Sequence, residues 1–146
     1  MRRMGIIVLL ALTVAAVGAA QTSVGIILGE PSGLTAKQWL GEQAAAEVVV
    51  AWSFVSPGAF YVHLDYKQHF YQEVIDPGLI LVYAGLGPRI YIRGDGVTIG
   101  ARIPVGIEYR FEDAPLELFL EVAPGLNVFP ETEPSFGGGI GVRFRF

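Results

Sequence analysis

The chain has 146 residues, 52% of them hydrophobic and 16% charged, a charged share well below the ~25% of an average soluble domain. Ten bases against fourteen acids leave it acidic, without the electrostatic footprint that nucleic acid requires. Nineteen glycines and nine prolines favour many short elements and tight turns over long helices, and the absence of cysteine excludes disulfides, thiolate zinc sites and a cysteine nucleophile.

In chain order, the first element is residues 1–20. Arg2 and Arg3 precede an apolar run of twelve residues, Ile6–Val17, followed by the small residues Gly18, Ala19 and Ala20. The run falls short of the ~20 residues a membrane-spanning helix needs, and its flanks match a secretory signal cleaved after Ala20. The expected organisation is a signal peptide at 1–20 and one domain at 21–146. Beyond Ala20, eight bases face fourteen acids, a formal charge of −6.

Turn signals then fall at 29–33 (GEPSG), 41–43 (GEQ), 56–58 (SPG), 76–78 (DPG), 94–96 (GDG), 112–115 (EDAP) and 131–135 (ETEPS). Seven turns leave eight segments with a mean repeat of about 16 residues, which suits a strand of ~9–11 residues plus a short connection. The segment Val24–Glu30 is short and glycine-containing, so its register is poorly fixed. Residues 34–48 are rich in helix formers, and a short helix is an alternative there. Gly41 interrupts that run, and "EVVVAWSF" (47–54) is strongly strand-like. In 59–70, Phe60, Val62, Leu64, Tyr66 and Phe70 share one face, and His63, Asp65, Lys67 and His69 the other. Over 97–111, read as one strand, Val97, Ile99, Ile103, Val105 and Ile107 oppose Arg102, Glu108 and Arg110. In 116–128, Leu116, Leu118, Leu120 and Val122 oppose Glu117, Glu121 and Asn127, with Phe119 on the polar side. The last segment sets Ile140, Val142, Phe144 and Phe146 against Arg143 and Arg145.

Alternation alone fits a soluble barrel with charges outside and a membrane barrel with charges inside. Charge placement separates them. Lys37, Lys67, Arg89, Arg93, Arg102, Arg110, Arg143 and Arg145 all fall on the less apolar face of a segment, while the turns carry acids and no base. Several segments are also long for globular strands, whose mode is ~5–6 residues. The expected fold class is all-β: an eight-stranded antiparallel up-and-down transmembrane β-barrel. Registers read through the turns set Lys37 opposite Glu47, Glu47 opposite Lys67, Arg110 opposite Glu117 and Glu121 opposite Arg143. An eight-stranded barrel is just filled by its side chains, so its inward charges must be paired. The expected lumen network is Lys37, Glu47, Asp65, Lys67, Arg89, Arg102, Glu108, Arg110, Glu117, Glu121, Arg143 and Arg145. Inward glycines (Gly85, Gly87, Gly100, Gly106, Gly125, Gly139, Gly141) leave room for it. Aromatics gather near the segment ends: Trp52, Phe54 and Phe60 at one, Tyr66, Phe70, Tyr109, Phe111, Phe144 and Phe146 at the other. That is the girdle arrangement of bilayer interfaces.

With the signal-like start, the alternating segments and the terminal "VRFRF", residues 21–146 resemble the small eight-stranded outer-membrane β-barrels of Gram-negative bacteria, OmpA-like or OmpX-like and without a periplasmic domain. In that family a C-terminal aromatic with apolar residues at alternate positions is the signal read by the barrel-assembly machinery. Ile140, Val142, Phe144 and Phe146 match it. The resemblance implies residence in the bacterial outer membrane, with outer-membrane lipids and the assembly machinery as partners and no cofactor. The loop turns here are short, whereas family members that bind partners often carry long ones.

Other chemistry is weaker. The His63, Asp65, Lys67 and His69 face has neighbours ~6.6–7 Å apart and no second carboxylate close in sequence, so no metal site is expected. Ser53, near His63, carries no mark of an activated nucleophile. Arg93-Gly94-Asp95 is hairpin-turn chemistry, and the Gly137–Gly139 run has no helix after it to cradle a phosphate. The expected function is a non-enzymatic outer-membrane barrel with a structural or interaction role. Alternatives are a narrow pore or small-molecule carrier, an outer-membrane lipid-modifying enzyme, and a soluble secreted lipocalin-like barrel.

Overall fold

The computed structural model describes residues 21–53 and 58–146. The expected signal peptide and the register through Phe54 lie outside the described residues. Nine strands run in order: β1 (Thr22–Glu30), β2 (Ser32–Trp39), β3 (Ala44–Trp52), β4 (Ala59–Ile75), β5 (Gly78–Arg93), β6 (Gly96–Arg102), β7 (Val105–Phe111), β8 (Leu116–Phe129) and β9 (Glu133–Arg145). β1 to β5 pair consecutively and antiparallel. β6 and β7 share one position between β5 and β8. β8 pairs with β9, and β9 returns to β1. Eight positions therefore close into a ring with no free sheet edge along its wall. Both described ends of the chain lie at one end of the ring, with the turns at 40–43, 76–77 and 112–115; this is the terminal end. The connections at 31, 94–95 and 130–132 form the loop end, where Ser53 and Gly58 also lie.

Three local outcomes differ from the alternation pattern or settle it. The helix-forming run at 34–48 is strand, split at 40–43 between β2 and β3, because ring pairing on both sides overrides a weak local propensity. The expected single strand over 97–111 is interrupted at Ile103 and Pro104. Pro104 has no N–H for the ladder. Its carbonyl still accepts from Gly85 N–H (2.8 Å), and Ile103 N–H donates to Pro124 (2.8 Å). Arg102, Pro104 and Gly106 all stay buried, so the break does not switch faces. Third, the β4–β5 register shifts between His69 and Tyr71. This bulge at Phe70 exchanges the two faces beyond it, and Tyr71 and Glu73 join the outer face with Val82 and Ile80.

The ring's stagger can be followed along one row. Gly25 pairs with Thr35, then Val49, His63, Arg89, Gly100, Asn127 and Glu133 in turn. Glu133 is five residues short of Gly138, whose partner Glu30 is itself five residues beyond Gly25: a stagger of ten residues. Such a stagger over eight positions tilts the strands by ~35–45° and leaves an interior wide enough for side chains but not for a channel.

Burial is inverted relative to a soluble domain. Leu64, Leu86, Leu120 and Ile140 are more than half exposed, while Lys37, Lys67, Glu117 and Arg143 have no exposed surface. Two inward glycines make room for large side chains. A Cβ on Gly141 would collide with the Phe119 ring, and one on Gly106 with the Tyr83 ring.

Candidate functional site

The inward positions of all eight ring positions project into one narrow lumen, and the long charged side chains meet near its axis. Lys37 Nζ lies 2.8 Å from Glu108 and 2.9 Å from Glu117. Arg143 bonds Glu117 (3.0 Å) and Glu47 and comes within 3.7 Å of Glu108. Lys67 bridges Glu47 and Glu121, both at 2.7 Å. Arg102 carries the chain onward to Glu121 (2.8 Å) and Asp65 (2.7 Å). Five carboxylates and four cations thus form one continuous network with an imidazole at each end. On the loop side, Arg102 donates to His63 (2.6 Å). On the terminal side, His69 Nε2 lies 3.3 Å from Glu108 and Nδ1 3.2 Å from the Gln43 carbonyl.

Neutral groups complete it. Thr35 donates to Glu47 (2.9 Å) and Tyr83 to Glu121 (2.8 Å). The Arg143 guanidinium lies 3.8 Å over the Phe119 ring, and the Lys67 ammonium 4.4 Å over the Tyr83 ring. Apolar clusters bracket the charges: Ile27, Val49, Ala51 and Phe119 with Tyr61 towards the loop end, and Trp39, Ala45 and Leu81 with Leu79 towards the terminal end. Buried ions without partners are costly, and here each buried cation touches at least two carboxylates. A cavity of about 10 Å³ beside Ile27, His63, Arg102 and Glu121 has room for roughly one water molecule.

The pairing scheme departs from the sequence reading in informative ways. Lys37 does lie opposite Glu47, and Arg110 opposite Glu117. Yet Lys37 reaches across the lumen to Glu108 and Glu117, and Glu117 turns to Arg143. In a barrel this narrow, opposite walls are within side-chain reach. Two registers are corrected. Glu47 lies opposite Asp65, not Lys67, because the β3–β4 connection is longer than assumed; Lys67 lies opposite Ala45 and reaches Glu47 diagonally. Arg143 lies opposite Glu117 and Glu121 opposite Gly139, because Glu133 and Pro134 belong to β9 rather than to the turn.

Three expected network members stand apart. Arg89 lies over the Tyr61 ring (5.2 Å) and Arg110 over the Trp39 ring (5.4 Å). Arg145 donates to the carbonyls of Phe111 and Ala114 (2.9 Å for the latter). None of the three enters an ion pair among the described residues. Their strand positions bring them near the ends of the lumen. Thr35 and Tyr83 act in the network without having been assigned to it; the signal for them was their inward parity beside Lys37 and Gly85, and His69 joins from the inward face it shares with Lys67.

The remaining candidates resolve as follows. Ser53 donates to Glu30, while His63 contacts Arg102 and Asp65. Glu47, Asp65 and Glu121 each have a carboxylate oxygen within 4.8 Å of the others'; the three carboxylates also pair with Lys67, Arg143 and Arg102, while Asp65 Oδ1 has no partner. On the outer face, Ile140 and Phe144 are exposed along β9, and Phe146 beyond it. The rings of Phe144 and Phe146 stand edge to face at 5.3 Å.

No protein-family model matches the chain, and no curated protein matches it in sequence. Among solved structures, the N-terminal β-barrel domain of Pseudomonas aeruginosa OprF is similar in fold. It aligns over 86% of this chain and 97% of its own length, with a TM-score of 0.64 and 17% identity. The chain therefore shares with that domain the fold of a closed antiparallel β-barrel, here with eight ring positions.

Proposed function

We propose that the protein is a non-enzymatic barrel of the bacterial outer membrane with a structural or interaction role, its lumen sealed by the ion-paired network. The observation that carries this reading is the inversion of polarity: an apolar outer band of Leu, Ile, Val and aromatic side chains surrounds a core of buried, mutually paired charges. Water does not reward that arrangement. A bilayer does, since its hydrocarbon meets the outer band and the network needs no solvent. Export through residues 1–20 and docking of the terminal Ile140, Val142, Phe144 and Phe146 pattern on the assembly machinery belong to the same reading. The bonding of Ser53 to Glu30 and of His63 to Arg102 speaks against the lipid-modifying alternative.

Planar-bilayer recording of the refolded protein tests the seal. A sealed lumen gives no steady conductance at moderate voltage. Steady, ion-selective current would replace this reading with the narrow pore.

A further inference from the structure

In the centre of the lumen every cation is paired, and the buried atoms left over are acceptors, Asp65 Oδ1 and Glu117 Oε2; at the terminal mouth the atoms left over are donors. Trp39 is about nine-tenths buried, and its indole N–H has no acceptor. The Arg110 guanidinium lies 5.4 Å over the same ring, and its buried Nε–H also lacks an acceptor. Arg145 holds the carbonyls of Phe111, at the end of β7, and of Ala114, in the turn, through Nη2, and its own buried Nε–H is unpartnered. Arg110 and Arg145 act on one another as like charges, with Glu112 and Glu117 as the acids that bear on Arg145. Lys37 adds a third cation, 4.9 Å over the Trp39 ring, but it is committed to Glu108 and Glu117. Three buried N–H donors therefore lie at one mouth of the ring, with Arg110 against Trp39 and Arg145 on the carbonyl of Phe111 next to Arg110, and both half-buried guanidinium groups lack an ion pair among the described residues.

An unmade hydrogen bond at a buried donor costs about 1–3 kcal/mol, more at a charged group. A ligand supplying acceptor oxygens and negative charge would remove three such deficits at once, and an indole N–H beside two guanidinium groups selects an anion over a neutral acceptor. We propose that Trp39, Arg110 and Arg145 form a binding site for a small oxyanion, of phosphate type, at the terminal mouth of the lumen. The anion is either free in solution or the phosphate of a lipid headgroup lying at the same rim. The rival arrangement is internal: Glu117 sits directly opposite Arg110, and its Oε2 is unpartnered, so Arg110 could turn onto it.

The chain has two tryptophans, which makes the site directly observable. Trp52 lies at the loop end of β3 and serves as the internal control. The full chain is refolded in maltoside micelles, which contain no phosphate, and the two indole N–H resonances are followed by NMR. Inorganic phosphate is titrated in one arm and a short-chain phosphatidylglycerol in the other. The site predicts a saturable shift of the Trp39 resonance with Trp52 unmoved. Saturation with inorganic phosphate identifies a free anion; saturation with the lipid alone identifies a headgroup. In Arg110→Gln/Arg145→Gln, with both indole peaks still dispersed, affinity should fall at least about tenfold. No shift in either arm, a non-saturating drift, or an unchanged affinity in the double variant overturns the proposal.

Discussion

Leu120 and Glu121 are neighbours in the chain and face opposite sides of the barrel wall. Leu120 is 58% exposed on the outer wall, and Glu121 is 2% exposed in the lumen. Each outward position along β8 belongs to the exposed apolar wall, so its contribution is local and nearly interchangeable with that of its neighbours. Each inward position is tied into a network that crosses the ring. The same strand thus carries two kinds of information. The outer face needs only hydrophobicity, while the inner face needs particular partners, and substitutions on the two faces should fail in different ways.

The largest effect is expected inside. Arg143 contacts Glu47, Glu108 and Glu117, so Arg143→Ala leaves three buried carboxylates short of a cation. Breaking a buried pair typically costs ~3–5 kcal/mol. Urea unfolding from vesicles should show a loss of that order; a silent variant would mean that water screens the lumen. Next comes the outer wall. Leu120→Arg places a charge near the middle of the apolar band, at ~2–4 kcal/mol, and should cut the yield of folding into vesicles. A normal yield would contradict the membrane assignment. A smaller loss is expected for Glu121→Ala. Its partners Lys67 and Arg102 keep Glu47 and Asp65, and the network holds one more carboxylate than cations. The cost should be ~1–3 kcal/mol, measurably below that of Arg143→Ala; equality of the two would refute the shared-partner account. The smallest effect on the fold should come from deleting Phe146, which is 76% exposed. Refolding into detergent should be nearly unchanged while assembly in cells slows. Equal loss in both settings would assign Phe146 to packing rather than to recognition.

Much of the fold was legible because a strand's two faces are written as alternating letters. Phe60 to Tyr66, Leu116 to Val122 and Ile140 to Phe146 could be assigned to faces without knowing any partner. What alternation does not encode is where turns close and which walls meet. Taking Glu133 and Pro134 for turn residues slid β8 against β9 by four residues and gave Arg143 the wrong partner. The break at Pro104 was visible as a proline, yet the apolar set on either side runs through it unchanged. The bulge at Phe70 left no mark, since Phe70 and Tyr71 are both acceptable on an outer wall. The charged residues of the site were mostly found by parity, but their pairs were not. Lys37 meets Glu108 across 71 residues of sequence, a contact fixed by the ten-residue stagger of the whole ring and by no local pattern.

Because the chain has no cysteine, single-cysteine scanning along β8 tests the account of the two faces most directly. Leu118→Cys, Leu120→Cys and Val122→Cys sample the outer wall; Phe119→Cys and Ala123→Cys sample the lumen without removing a charge. In the refolded barrel in vesicles, a membrane-dissolved probe should reach the three outer positions and spare the two inner ones, and a water-soluble maleimide should label none of the five. Maleimide labelling at 118, 120 and 122 would mean that the apolar face is not in lipid, and labelling at 119 and 123 would mean that the lumen is open to water. Either result contradicts a sealed barrel in a bilayer.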